Sequence, residues 1–158
     1  MAPLIVLVAA TLLARAIGQL GAASLRDWAG ATRAGLAVMF CFTAAAHFNS
    51  LRADMIAMVP PSVPNPEFMV TFTGICEILG GIGLLLPLTR RLAAVALIVM
   101  LLAILPANIH AARAGVTLRG APATPVAPRV ALQGLFIGLL WWCGARESRK
   151  VVIKSVRV

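Results

Sequence analysis

Residues 68–87 form a predominantly apolar run of twenty residues with a single acid, Glu77, near its middle. At 1.5 Å per residue such a run spans the roughly 30 Å hydrocarbon core of a bilayer. An ionised carboxylate at that depth costs at least ~2.5 kcal/mol, and a neutral one still needs a hydrogen-bond partner. Gly74, Gly80, Gly81 and Gly83 surround it, leaving room for a neighbouring helix or a ligand to approach closely. The stretch predicts a transmembrane helix carrying a functional acid whose partner lies elsewhere in the chain.

Composition agrees with a membrane location. The chain has 158 residues, of which 61% are hydrophobic and 12% charged, with a mean hydropathy of +0.96; soluble domains carry about 25% charged residues. The length suits one membrane domain and leaves nothing for a separate soluble one. The formal charge of +9 comes from short loops and a tail between apolar runs, with no basic stripe interleaved with aromatics. That pattern excludes nucleic acid as the expected partner and fits the lipid bilayer. Cys41, Cys76 and Cys143 occur singly, without metal or redox spacing, and read as small packing residues.

Five apolar runs predict an all-α, polytopic membrane helix bundle with five crossings: residues 3–25, 34–51, 68–87, 92–112 and 129–143. No basic residue precedes the first run, so it reads as a membrane helix and not a cleaved leader, with Arg15 near mid-membrane. Pro60, Pro61, Pro64 and Pro66 mark residues 55–67 as a loop, and residues 115–128 form a second. Pro106 is expected to break the fourth helix late. The spacing of Gly134 and Gly138 predicts close internal helix packing. The basic tail, residues 146–158, reads as a short strand or an extended arm on the membrane surface.

Charge orients these crossings. Arg26, Arg33, Arg90, Arg91, Arg146, Arg149, Lys150, Lys154 and Arg157 fall on one side, against Arg52, Arg113, Arg119 and Arg129 on the other. The excess predicts a cytoplasmic C-terminus, an outside N-terminus, and Trp141 and Trp142 at the cytoplasmic interface.

This topology brings the polar helix ends together on the outer side. His47, Asn49, Arg52 and Asp54 close the second helix; Asn108, His110 and Arg113 close the fourth; Gln133 opens the fifth. Glu77 lies ~14 Å below the outer start of its helix at helical rise. A pocket open to the outer leaflet, with Glu77 at its floor, is therefore expected. Its candidate ligand-binding residues are His47, Glu77, Asn108, His110 and Arg113, with Glu77 as a proton carrier and no residue assigned as catalytic. Plainer readings stand beside these. Glu77 can form a structural pair with Arg15, the two histidines can cap helix ends, Asn108 can satisfy carbonyls freed by Pro106, and Arg52 can pair with Asp54 in the loop. Two histidines and one carboxylate are an adequate metal set, yet no spacing fixes two ligands on one helix face, so no metal is expected. Hydrogen-bond donors beside an apolar wall suit a quinone head better.

Residues 45–48, 73–87, 105–110 and the helix at 129–142 together resemble the DoxX-like family of small bacterial membrane proteins, over roughly residues 32–143. The resemblance implies a four-helix bundle core, with the first helix an addition, in the bacterial cytoplasmic (inner) membrane. Family names refer to a quinol oxidase component and to thiosulfate:quinone oxidoreductase, and related members serve as membrane partners or chaperones. Two functions stay open. One is an accessory subunit or small participant in quinone-linked redox chemistry, taking its electrons from a membrane partner. The other is a non-catalytic scaffold or chaperone-like protein in which Glu77 and Arg15 are a structural pair. A transporter is less favoured, since no inverted repeat is visible. Whether the chain is an enzyme, and whether it oligomerises, is undecided at this level.

Overall fold

A computed structural model describes residues 2–115, 117, 118, 120–122 and 125–146. Six α-helices follow one another: α1 (Ala2–Gln19), α2 (Trp28–Ala44), α3 (Arg52–Ala57), α4 (Pro66–Leu85), α5 (Arg90–Arg113) and α6 (Val126–Leu140). Among the described residues the regular structure is all-helical apart from a two-residue antiparallel pairing of β1 (Thr117–Leu118) with β2 (Ala121–Pro122). Among the described residues five helices are long and apolar enough to cross a membrane: Ala2–Gln19, Trp28–Phe48, Pro66–Leu85, Arg90–Arg113 and Val126–Ala145.

The helices start and stop for local reasons that shift several expected boundaries. Helix α1 ends at Gln19, not at 25, because Gly21 turns the chain at φ 128°. Helix α2 starts at Trp28, six residues before the expected 34. Asp27 caps it, accepting from the Gly30 amide at 2.5 Å. Gly30 and Arg33, expected in a loop, are thus inside α2. The α2 backbone tightens to a 3₁₀ turn over Ala45–Phe48, and α3 occupies the front of the region expected to be loop. Helix α4 opens on Pro66, whose missing amide hydrogen is no loss in a first turn.

Pro106 does not break α5, which continues to Arg113. A membrane helix tolerates an internal proline where neighbours satisfy the freed backbone groups. Helix α6 gives way to a π turn over Trp141–Ala145. The proposed strand in the basic tail lies outside the described residues.

Helices α2, α4, α5 and α6 close a ring, each packed on the next, with α6 and its π turn returning to α2; α1 lies outside the ring, against α2. Glycines set the spacing of α4 on both its neighbours. A Cβ on Gly74 would stand 2.7 Å from His47 Cβ, and one on Gly81 3.1 Å from the Ala37 carbonyl, both on α2 or its 3₁₀ extension. On the other face, a Cβ on Gly83 would stand 2.7 Å from that of Ala93, and Gly80 lies against Leu97, both on α5. Gly134 and Gly138, expected to pack internally, meet nothing within 4 Å: α6 turns them away from the ring.

Leu36, Met39, Phe40, Leu84, Leu97 and Leu140 are buried at the ring centre. Gly83 opposite Ala93 and Gly80 opposite Leu97 fix an antiparallel register. One turn further along α4, Glu77 stands level with Met100 and Leu101 of α5.

Candidate functional site

Glu77 shares one face of α4 with Gly74 and Gly81, three residues before it and four after, and that face packs on α2. The missing side chains at the two glycines let α2 come close enough to meet the carboxylate directly. Oε2 lies 2.8 Å from Thr43 Oγ1 and 3.8 Å from His47 Nε2. Thr43 and His47 are four residues apart and stack on a single face of α2 and its 3₁₀ continuation. Glu77 and His47 are only 7% and 4% exposed.

The other ring nitrogen fixes the histidine. Nδ1 stands 2.6 Å from the Val70 carbonyl oxygen, which can only accept, so Nδ1 carries a hydrogen. Thr73 Oγ1 lies 3.4 Å from the same nitrogen and donates to the Met69 carbonyl. Nε2 therefore faces Glu77 as a lone pair or as a second N–H.

Thr43 can meet the Glu77 carboxyl in either protonation state. Its hydroxyl has one hydrogen and two oxygen neighbours, the Phe40 carbonyl at 3.0 Å and Glu77 Oε2 at 2.8 Å. When Glu77 is ionised, Thr43 donates to it. When Glu77 is protonated, the acid donates to Oγ1 and Thr43 turns to Phe40. The Thr43 hydroxyl thus has a partner in either state.

Arg52, the first residue of α3, braces this end. Its Nη1 donates to the His47 carbonyl at 3.1 Å and its Nη2 to the Glu67 carbonyl at 3.2 Å. Arg52 thus binds backbone at both flanks of the pair. Asn49 accepts from the Leu51 amide at 2.9 Å and shapes the same corner.

A second polar group joins α5 to α6. Gln133, 6% exposed, donates to the Leu101 carbonyl and accepts from Asn108 Nδ2 at 3.4 Å. Arg129 Nη1 donates to Asn108 Oδ1 at 3.2 Å. It is therefore Gln133, and not Asn108, that reaches an α5 carbonyl next to Pro106. Through Leu101, Gln133 stands at the level of Glu77.

The expected site is thus brought together in part. His47 and Glu77 meet between α2 and α4, while Asn108 is drawn to Gln133 and Arg129. His110 and Arg113 lie in the last turn of α5, at the same end of the bundle, with Arg113 exposed. In place of an open pocket with Glu77 at its floor there is a closed hydrogen-bonded layer. The two best-formed grooves lie elsewhere. One of about 210 Å³ is lined by apolar groups of Ala37, Cys41, Gly81 and Leu85 among others, and one of about 410 Å³ lies beside Asn65 and Glu67. No group of three His, Cys, Asp or Glu side chains among the described residues is placed to hold a metal.

Arg15 does not pair with Glu77. Its guanidinium lies 5.3 Å from the centre of the Trp28 ring, and the Gln19 amide oxygen, turned toward it, accepts from Nη2 at 2.9 Å. The reason is the position of α1 outside the ring, with α2 standing between it and α4. Arg33 is also buried, and its Nη1 donates to the Cys143 carbonyl in the π turn at 2.9 Å. Sequence reasoning passed over Thr43 and Arg33; the four-residue spacing of Thr43 from His47 was the signal for the first.

No curated protein and no solved structure matches the chain. One family model does, over residues 36–144, from the middle of α2 to the π turn after α6. That segment carries the closed ring, the Glu77–His47 pair and the Asn108–Gln133 group, and leaves α1 aside. By this match the chain belongs to the family described as Domain of unknown function (DUF8561).

Proposed function

We propose that this chain is a multi-pass membrane protein that takes up and releases one proton at the Glu77–His47 pair, as an accessory participant in quinone-linked membrane redox chemistry. The observation that carries the proposal is the buried carboxyl–imidazole pair with Thr43 serving both of its protonation states. Intramembrane acids and histidines are costly and mark proton relays. Reduction of a quinone consumes protons together with electrons, and a group poised to supply them suits that chemistry. The resemblance to DoxX-like proteins supplies the quinone in this reading. Electrons come from a membrane partner. The charge distribution supports an orientation with the His47 end outward and the C-terminus cytoplasmic, and the DoxX-like resemblance implies the bacterial inner membrane.

The test has two arms. Purified protein is extracted for bound lipid-soluble quinone, and quinone reduction is followed in membranes carrying Glu77→Gln. A co-purifying quinone and at least a tenfold loss of rate are expected. No quinone together with an unchanged rate overturns the proposal.

A second reading, a non-catalytic scaffold, is favoured by one observation. The contacts of Glu77 with Thr43 and with His47 both join α4 to α2 and its extension, as a structural clasp would. The Arg15 pair no longer supports it. Under this reading Glu77→Gln leaves redox rates intact and alters only bundle stability.

A further inference from the structure

The interior of the ring is polar toward one end and apolar toward the other. Arg52 bridges the His47 and Glu67 carbonyls at the first level. His47 and Thr73 follow, then Thr43, Glu77 and Gln133 together. Beyond them Leu36, Phe40, Leu84, Leu97 and Leu140 are each at most 2% exposed. The next buried polar group, Arg33, lies ten residues before Thr43 on α2, or ~15 Å at helical rise, and is held by the Cys143 carbonyl. Close-packed hydrocarbon of that depth offers water no polar partners and stays dry.

Resting on the proton-bearing reading of the pair, we infer that Glu77 and His47 exchange their proton with the His47 end of the bundle alone, and that no proton crosses to the other end. The transfer is balanced within the pair. The Glu77 O–H bond breaks as His47 Nε2–H forms, leaving carboxylate and imidazolium, while Thr43 turns its hydrogen from Phe40 to Glu77. The imidazolium then gives a proton to water entering from its own end. At 3.8 Å the two atoms need a small side-chain shift or one bridging water. The ionisable groups that the neighbouring elements place around this entrance are Arg52 and Asp54 on α3, Glu67 on α4, His110 and Arg113 on α5, and Arg129 on α6. Arg33 and Arg90 lie behind the apolar layer, near the opposite ends of their helices.

The experiment follows the carboxylic acid stretch of Glu77 by infrared difference spectroscopy. The band is assigned by its loss in Glu77→Gln and, should that variant not fold, by ¹³C-glutamate labelling. In nanodiscs, where both faces meet the buffer, the band titrates. In sealed vesicles the orientation is read from a cleavable tag ahead of Ala2, which α1 places at the His47 end. There the band is expected to shift when pH is stepped on the His47 side and to stay unchanged when it is stepped on the other. A trapped pH dye is expected to report no proton entry above that of protein-free vesicles. A response to the far side, or dye acidification, overturns one-sided access while leaving the proton-bearing pair standing. A band that does not titrate in nanodiscs overturns both.

Discussion

Glu77 Oε2 and His47 Nε2 lie 3.8 Å apart, and His47 Nδ1 is committed to the Val70 carbonyl at 2.6 Å. The acid and the imidazole thus meet between two helices that Gly74 and Gly81 let come so close.

Removing either partner has unequal consequences. In Glu77→Gln the amide oxygen accepts from Thr43 and the amide hydrogens face His47, so folding survives with a loss of about 1 kcal/mol. His47→Ala opens a cavity, leaves Glu77 without its imidazole neighbour, and costs about 3 kcal/mol or more. Unfolding in mixed detergent measures both, and equal losses would contradict the arrangement.

Thr43→Val keeps shape and removes the hydroxyl that satisfies Glu77. The expected cost is about 1–2 kcal/mol. In a double-mutant cycle with Glu77→Gln the two changes couple by at least ~0.5 kcal/mol, because they share one contact. Additive losses would show that the hydroxyl does not serve the carboxyl.

The glycines divide into two classes. A Cβ at Gly74 or Gly83 meets rigid neighbours at 2.7 Å, so alanine there costs about 1–3 kcal/mol through overpacking. Alanine at Gly134 or Gly138 meets open space and gains up to about 1 kcal/mol in helix propensity. Thermal unfolding of the four single variants separates the classes.

Arg15 has left Glu77 for Trp28. A cycle of Arg15→Leu with Trp28→Leu is expected to show about 0.5–1 kcal/mol of cation–π coupling. The corresponding cycle with Glu77→Gln is additive within ~0.5 kcal/mol. Strong coupling between Arg15 and Glu77 would restore the structural pair.

Gln133→Leu removes the side-chain hydrogen bonds to Asn108 and to the Leu101 carbonyl, one turn before Pro106. A loss of about 1–3 kcal/mol is expected, and faster amide exchange in α5 after Leu101 locates it. Unchanged exchange there would show that Gln133 does not support the proline-containing turn.

Much of this architecture is legible from apolar run length alone. A bilayer demands about twenty apolar residues per helix and internal satisfaction of the backbone, so five spans follow with few alternatives. The Glu77 helix and its glycines are legible for the same reason. A lone acid in such a run must find a partner, and small residues must face something close. What run length cannot resolve is which helix is the neighbour. Arg15 and His47 are both reachable in depth from Glu77, and only the ring closure that places α1 outside α2 selects His47. Gly134 and Gly138 show the same ambiguity: a small-residue spacing reads alike whether it faces a helix or lipid.

The sequence by itself determined the membrane setting, the number of apolar spans, and an acid near the middle of one of them, because hydrophobicity and backbone hydrogen bonding act along the chain. Only the tertiary structure decided that Glu77 meets Thr43 and His47, that Asn108 joins Gln133, and that Arg15 stacks on Trp28. Those partners come from lateral helix order and rotation, which depend on contacts between residues far apart in the chain.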